Sequence, residues 1–84
     1  MDATEPVPVK ELHGTVRRGI YGEGTKSERE AVFVDTGRDS FLLRRRGGPA
    51  YGDKALDRYV GRTITCSGFL LGTTLLAEKI RTVD

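Results

Sequence analysis

The sequence predicts a mainly β domain: a five-stranded Greek-key barrel with one short helix between strands 3 and 4. Apolar and polar residues alternate over several segments of the 84-residue chain, which is typical of strands with one buried face. Glycine-containing turns separate these segments, and one segment, residues 53–60, has apolar residues at helical spacing instead. The length allows a single domain, which we place at residues 9–84.

The chain is predicted to begin with a flexible tail, residues 1–8, followed by a long first strand at residues 9–21. Pro6 and Pro8 favour extended backbone in the tail, which has too few apolar residues to pack by itself. Within the strand, Gly14 and Gly19 favour a bend or a bulge, as a barrel requires. The set expected to face inward is Leu12, Gly14, Val16, Arg18 and Ile20.

Residues 31–46 predict a β-hairpin. The arms AVFVD and SFLLRRR flank a TGRD turn, in which Gly37 can adopt a positive φ. Residues 22–30, which precede the hairpin, are polar and contain two glycines, so we expect a loop there. Both arms have apolar residues on both faces, so alternation alone leaves the buried face open. The second arm ends in three consecutive arginines, the densest charge in the chain.

The rest of the chain predicts a short helix and two more strands. Asp53 is placed to cap the helix and Gly61 to end it; a helix of about two turns needs tertiary packing, so it must lie against the sheet. Residues 62–71 alternate with a core-facing set of Ile64, Cys66, Gly68 and Leu70. Residues 74–83 form the last strand, with a bulge expected near Glu78. Its core-facing residues are Leu75, Ala77 and Ile80.

A helix between the third and fourth of five antiparallel strands resembles the oligonucleotide/oligosaccharide-binding fold, or OB-fold. The resemblance spans residues 12–83 and is closest to small single-domain bacterial OB-fold proteins without an assigned activity. It depends on the glycine-punctuated first strand, SEREAVF before the second, LLRRRGG after the third, and YVGRTITCSGFL across the helix and fourth strand. An SH3-like barrel is the structural alternative, and the predicted helix distinguishes the two.

The resemblance implies a non-catalytic binding module whose ligand is single-stranded DNA or RNA. Such ligands bind the outer face of strands 2 and 3 and the loop before them, where cations meet phosphates and exposed rings stack on bases. Ten of the fourteen basic residues are arginine, which favours bidentate contacts to phosphate. The positions that match this surface are Phe33, Phe41, Arg44 and Arg46 on the hairpin and Lys26 and Arg29 in the loop, with Arg17, Tyr21 and Arg38 as an extension.

Two other interpretations stay open at this stage. An open barrel would leave strand edges on which a protein partner, or a second copy of the chain, can pair. A solvated polar face on a purely structural OB module would need no ligand at all. The net charge of +2 does not separate these alternatives from nucleic-acid binding.

The sequence predicts neither catalysis nor a cofactor. The segment GIYGEGTKS lacks the lysine directly after its last glycine that a phosphate-binding P-loop requires. The single histidine, His13, and the single cysteine, Cys66, form no zinc-binding spacing, and we expect a surface imidazole and an inert core thiol. No segment is apolar enough to cross a membrane, and no secretory signal is present, so we expect a cytoplasmic protein.

Overall fold

A computed structural model describes residues 5–49 and 52–83 of the chain. It contains five strands and one 3₁₀ helix in the predicted order. The strands are β1 (Val7–Tyr21), β2 (Arg29–Asp35), β3 (Ser40–Arg45), β4 (Thr63–Leu71) and β5 (Thr74–Thr82), and the helix is Lys54–Tyr59. In the described residues, no helix is both long and apolar enough to span a bilayer.

The five strands form one sheet that closes on itself in the order β1-β2-β3-β5-β4. The long strand β1 makes closure possible, because its first half pairs with β4 and its second half pairs with β2. All neighbouring strands are antiparallel except β3 and β5, which run parallel. The predicted mainly β, five-stranded architecture is therefore confirmed.

The core lies inside this ring, and the predicted inner faces of β4 and β5 are confirmed. Its largest fully buried side chains are Ile64, Leu75, Val16, Val34 and Cys66. Leu56 of the 3₁₀ helix is also buried in the core cluster, so the helix covers one end of the ring. Full burial of a Val, Leu or Ile side chain contributes about 1.5–3 kcal/mol, so these contacts dominate the stability of the fold.

The structure decides which face of the hairpin is buried. Val32, Val34 and Leu43 belong to the core cluster, and Phe41 packs against it. Phe33 pairs with Leu42 on the opposite, outer face of the sheet. Apolar residues therefore occur on both faces of the hairpin, because the half-buried Phe33 ring lies on the outer face. Alternation alone does not show which of the two apolar faces is the buried one.

Two predictions about β1 need correction. The strand begins at Val7, and Val7 and Pro8 pair with Leu70 and Phe69, whereas the sequence predicts that both residues belong to the tail. The predicted inward set also ends too late: Val16 is buried, but Arg18 and Ile20 are exposed. The reason is that β1 extends beyond the closed part of the ring, where Arg18 forms an ion pair with Asp57 of the 3₁₀ helix.

Bulges occur in two of the strand pairings. The β1–β4 register shifts between Val9 and Leu12, so the bend of β1 lies before the two glycines that predicted it. The β4–β5 register shifts between Ser67 and Gly68, where β5 has Glu78 as its extra residue. The bulge expected near Glu78 is therefore confirmed. It explains how Leu75, Ala77 and Ile80 all reach the core despite their uneven spacing.

The predicted helix exists, but it is a six-residue 3₁₀ helix. The carboxylate of Asp53 accepts a hydrogen bond from the Ala55 amide, as an N-cap should, and Gly61 follows the helix with a φ of +86°. The same carboxylate accepts two bonds from the Arg45 guanidinium, at 2.8 and 3.1 Å. Asp53 therefore links the first turn of the helix to the end of β3 through hydrogen bonds.

We expect Asp53→Asn to destabilise the fold by about 1–2 kcal/mol near pH 7, because it keeps a capping side chain but removes the charge that Arg45 binds. The hydrogen bonds from Arg45 hold the pKa of Asp53 below its usual value. A carboxyl group with a lower pKa in the folded state stabilises the fold above its unfolded pKa of about 4 and loses this contribution as the pH falls. Thermal unfolding at pH 7 and pH 3 should show that the wild type and the variant differ less in acid.

The matched control for this variant is Asp57→Asn, which removes the exposed pair with Arg18. Exposed ion pairs contribute little, so this control should cost well under about 1 kcal/mol. Equal losses for the two variants at pH 7 would contradict the role given to the Asp53 carboxylate.

Candidate nucleic-acid interface

The outer face of β1 and β2 carries a row of paired residues. Across the two strands, Arg17 lies opposite Phe33, Gly19 opposite Ala31, and Tyr21 opposite Arg29. Directly opposed residues project from the same face of a sheet, so these six residues form one surface, called here the outer row. Its two ends are four residues apart on each strand, or about 13 Å.

At one end of the outer row, the Arg17 guanidinium lies over the Phe33 ring, 4.8 Å from its centroid. Arg17 Nε donates to Asp35 Oδ2 at 2.7 Å, and Arg17 Nη2 to Ser40 Oγ at 3.4 Å. The Ser40 hydroxyl also donates to Asp35, and this bond, together with those from Arg17, lowers the pKa of the Asp35 carboxyl. The carboxylate therefore stays charged and keeps the guanidinium over the ring.

At the other end of the outer row, the Arg29 guanidinium lies over the Tyr21 ring, 4.9 Å from its centroid. Tyr21 is 39% exposed. Between the two pairs, Gly19 and Ala31 form a floor of small residues. A Cβ on Gly19 would lie 2.5 Å from Arg17 Nη1 and 3.1 Å from the Phe33 ring, so a larger residue there would displace the stacked pair. The outer row thus consists of two ring–guanidinium stacks, and the Arg17–Phe33 stack packs over Gly19.

Two further predicted residues lie in segments that extend from the ends of the outer row. Arg38 is exposed in the β2–β3 turn and borders a shallow depression together with Arg17 and Ser40. Lys26 is exposed in the loop that follows Tyr21. The structure therefore places six of the nine predicted site residues on this face or in its flanking turns: Arg17, Tyr21, Lys26, Arg29, Phe33 and Arg38.

The other three predicted residues are placed differently. Phe41 pairs with Val34 and packs against the core, so its ring is not part of the outer face. Arg46 forms an ion pair with Glu78 of β5. Arg44 pairs with Leu76 of β5, and its side chain lines a depression between β2, β3 and residues 52–57. The three consecutive arginines do not form one cationic cluster. Successive side chains of a strand point to opposite faces, and Arg45 is bound to Asp53.

Sequence reasoning missed the residues that shape the outer row and a second cationic area. The sequence indicates only turn chemistry for Asp35 and Ser40, and their part in fixing Arg17 follows from the register Asp35–Ser40 across the hairpin. Lys10, Lys79 and Arg81 border a depression of about 460 Å³ over β1, β4 and β5. The sequence signal for two of them is the i, i+2 spacing of Lys79 and Arg81, which places both on the same face of β5.

Cys66 and His13 do not come together in the structure. Cys66 is buried, its thiol donates to the Leu12 carbonyl at 3.8 Å, and burial raises its pKa to about 11. The group therefore stays a thiol at neutral pH, which matches the expected inert core residue. His13 lies on the outer face, with Nδ1 3.3 Å from the Thr65 hydroxyl. Residues 5–49 and 52–83 contain no group of three side chains arranged to hold a metal ion.

Comparison with known protein families, curated proteins and solved structures finds no significant match to this chain.

Proposed function

We propose that this chain is an OB-type barrel that binds single-stranded DNA or RNA on the outer face of β1 and β2. The strand order, the closure of β1 onto β4, the parallel pairing of β3 with β5 and the helix between β3 and β4 support the OB-type assignment over an SH3-like one. Fold alone does not imply a ligand, so the functional part of the proposal depends on the outer row.

The observation that carries the proposal is the pair of ring–guanidinium stacks on one face. Bases stack on aromatic rings and on guanidinium planes alike, and each base stacked on an aromatic ring contributes about 1–3 kcal/mol. The stacks Arg17–Phe33 and Tyr21–Arg29 present both kinds of surface on one face of the sheet. Recognition of this kind is tolerant of sequence because every base has a planar face.

The cations of the same face supply contacts to phosphates. Arg17 and Arg29 lie within the outer row, and Arg38 and Lys26 flank it in exposed turns. Arg17 is already paired with Asp35, but both side chains are more than a third exposed, and exposed pairs exchange partners at little cost. A single strand can therefore recruit these cations without unfolding any part of the sheet.

The protein-binding alternative has less support. Each described strand pairs with two neighbours in the closed sheet, so no strand offers a whole edge to a partner. The unpaired stretch is confined to the region where β2 and β3 separate, beyond the Phe33–Leu42 pair. This alternative stays a prediction without a defined surface.

The test is a titration of ¹⁵N-labelled protein with a short oligothymidylate or oligouridylate at low salt. We expect amide shifts at residues 17–21 and 29–33, and little change at Lys79 and Arg81 on the opposite side of the ring. Binding through about three phosphates should weaken with salt with a log–log slope near −2, as expected for single strands. Absence of shifts at millimolar protein, or shifts confined to Lys79 and Arg81, would overturn the proposal.

A further inference from the structure

A cleft lies where β2 and β3 separate. Their pairing ends at Phe33 and Leu42, so residues 29–32 of β2 and 43–44 of β3 diverge, and the segment 52–57 forms a third wall. The cleft has a volume of about 170 Å³ and an apolar floor made by Val32, Leu43 and Leu56. This volume is sufficient for one small polyatomic group.

Arg44 is the unusual residue of this cleft. Its Nε is buried and has no hydrogen-bond partner among residues 5–49 and 52–83. By contrast, Arg17, Arg18, Arg45 and Arg46 each form an ion pair with a carboxylate. A buried donor of a charged group that lacks a partner is costly, and such groups in folded proteins are normally satisfied. Unlike these four arginines, Arg44 has no carboxylate partner among residues 5–49 and 52–83.

The charges around the cleft favour an anion. Its lining contains Arg18, Arg29, Arg44 and Lys54, and because Arg18 is balanced by Asp57, the other three contribute its positive charge. Two of its three carboxylates are already neutralised, since Asp53 is bound by Arg45 and Asp57 by Arg18. Glu30, the third, is exposed on β2 and is outnumbered by the cations. An entering anion thus meets a net positive surface over an apolar floor, where charge interactions are strengthened.

We propose that this cleft binds one phosphate group, held by the guanidinium fork of Arg44 and by the ammonium group of Lys54. Guanidinium matches phosphate oxygens in a bidentate geometry, and lysine adds a point charge. The cleft adjoins the outer row at Arg29 and Ala31, but Arg44 and Lys54 are not part of that row, so phosphate binding does not require nucleic-acid binding there. The phosphate is either free or the terminal group of a small molecule or a nucleic-acid end.

The first test is an amide titration with inorganic phosphate, with sodium chloride at matched ionic strength as the reference. We expect shifts at residues 30–32, 43–44 and 54–56 with a millimolar dissociation constant. Arg44→Gln should weaken binding about tenfold or more, and Arg44→Lys should weaken it less, because it keeps the charge but loses the fork. The matched control Arg81→Gln removes an exposed arginine of β5 outside the cleft and should leave phosphate affinity unchanged. Equal phosphate affinity of Arg44→Gln and wild type would overturn the proposal.

The second test separates binding from folding. In phosphate-free buffer, Arg44→Met should be at least as stable as wild type, because it removes an unsatisfied buried donor and keeps the apolar stem. Added phosphate should then raise the melting temperature of the wild type and leave that of Arg44→Met unchanged. Stabilisation of both proteins by the same amount would show a general salt effect and would contradict the site.

The source of the phosphate is distinguished by comparing oligonucleotides that carry a 5′-phosphate with the same oligonucleotides ending in a 5′-hydroxyl. A gain in affinity that depends on Arg44 identifies a nucleic-acid end, and no gain, with inorganic phosphate still bound, identifies a small molecule. The two proposals fail separately. Loss of oligonucleotide shifts at residues 17–21 would leave the phosphate titration intact, and the reverse also holds.

Discussion

Replacing Phe33 with leucine is expected to weaken the binding of a single-stranded oligonucleotide by about tenfold or more, with little loss of stability. Leucine retains apolar contact with Leu42 across the hairpin but has no ring on which a base or the Arg17 guanidinium can stack. One stacked base contributes about 1–3 kcal/mol, and 1.4 kcal/mol corresponds to a tenfold change in affinity. Fluorescence anisotropy with a labelled oligothymidylate at low salt measures the change directly.

The control for this variant is Phe69→Leu. Phe69 is a half-buried phenylalanine that pairs with Leu76 across β4 and β5, and β4 is not a neighbour of β2 in the closed sheet. This variant should alter packing to a similar degree and leave oligonucleotide affinity within about twofold of the wild type. If the two variants lost the same affinity, the outer row would not be the binding surface.

The strands could be predicted from the sequence because their patterns are local. Ile64, Cys66 and Leu70 alternate on β4 with few exceptions, and each packs in or against the core. The cap at Asp53 was predictable for the same reason, since it bonds to an amide two residues away. The type of the helix could not be predicted. Leu56 is the only fully buried residue of this helix, and a single buried side chain does not require α-helical geometry.

The candidate site was harder to predict because its properties depend on partners that are distant in the chain. The arginine run at residues 44–46 implied one cationic patch, but Arg45 meets Asp53 and Arg46 meets Glu78. Glu78 is 32 positions away from Arg46 and becomes its partner only because β3 and β5 run side by side. Likewise, Phe33 and Phe41 belong to the same hairpin but lie on opposite faces, which the turn length and register decide.

The outer row depends on the pairing register of β1 and β2. Arg17 and Phe33 are far apart in the chain, and so are Tyr21 and Arg29, and they meet because β1 and β2 pair in one register. A slip of one residue would turn every side chain of β2 to the other face. The loop length between the strands leaves that register open, so the two stacks could be found only once the pairing was known.

Gly68→Ala is expected to destabilise the fold by about 3 kcal/mol or more, a larger loss than for Asp53→Asn or Phe33→Leu. A Cβ at this position would overlap the Leu76 carbonyl oxygen and lie 3.0 Å from the Ala77 Cα. Both are backbone atoms of the neighbouring strand, so no side chain can move aside, and the positive φ of Gly68 adds backbone strain. For a domain of this size, such a loss should lower the melting temperature by roughly 12–24 °C.

The matched control is Gly24→Ala, in the loop between β1 and β2. Gly24 also has a positive φ, +83°, but a Cβ added there would meet no atom within 4 Å, so this variant tests backbone strain alone and should cost only about 1 kcal/mol. Equal losses in thermal unfolding would show that β4 and β5 are not in close contact at Gly68. Close contact there accompanies the bulge at Glu78, and the bulge allows Glu78 to reach Arg46. The absence of a side chain at Gly68 thus allows β4 and β5 to pair closely beside this bulge.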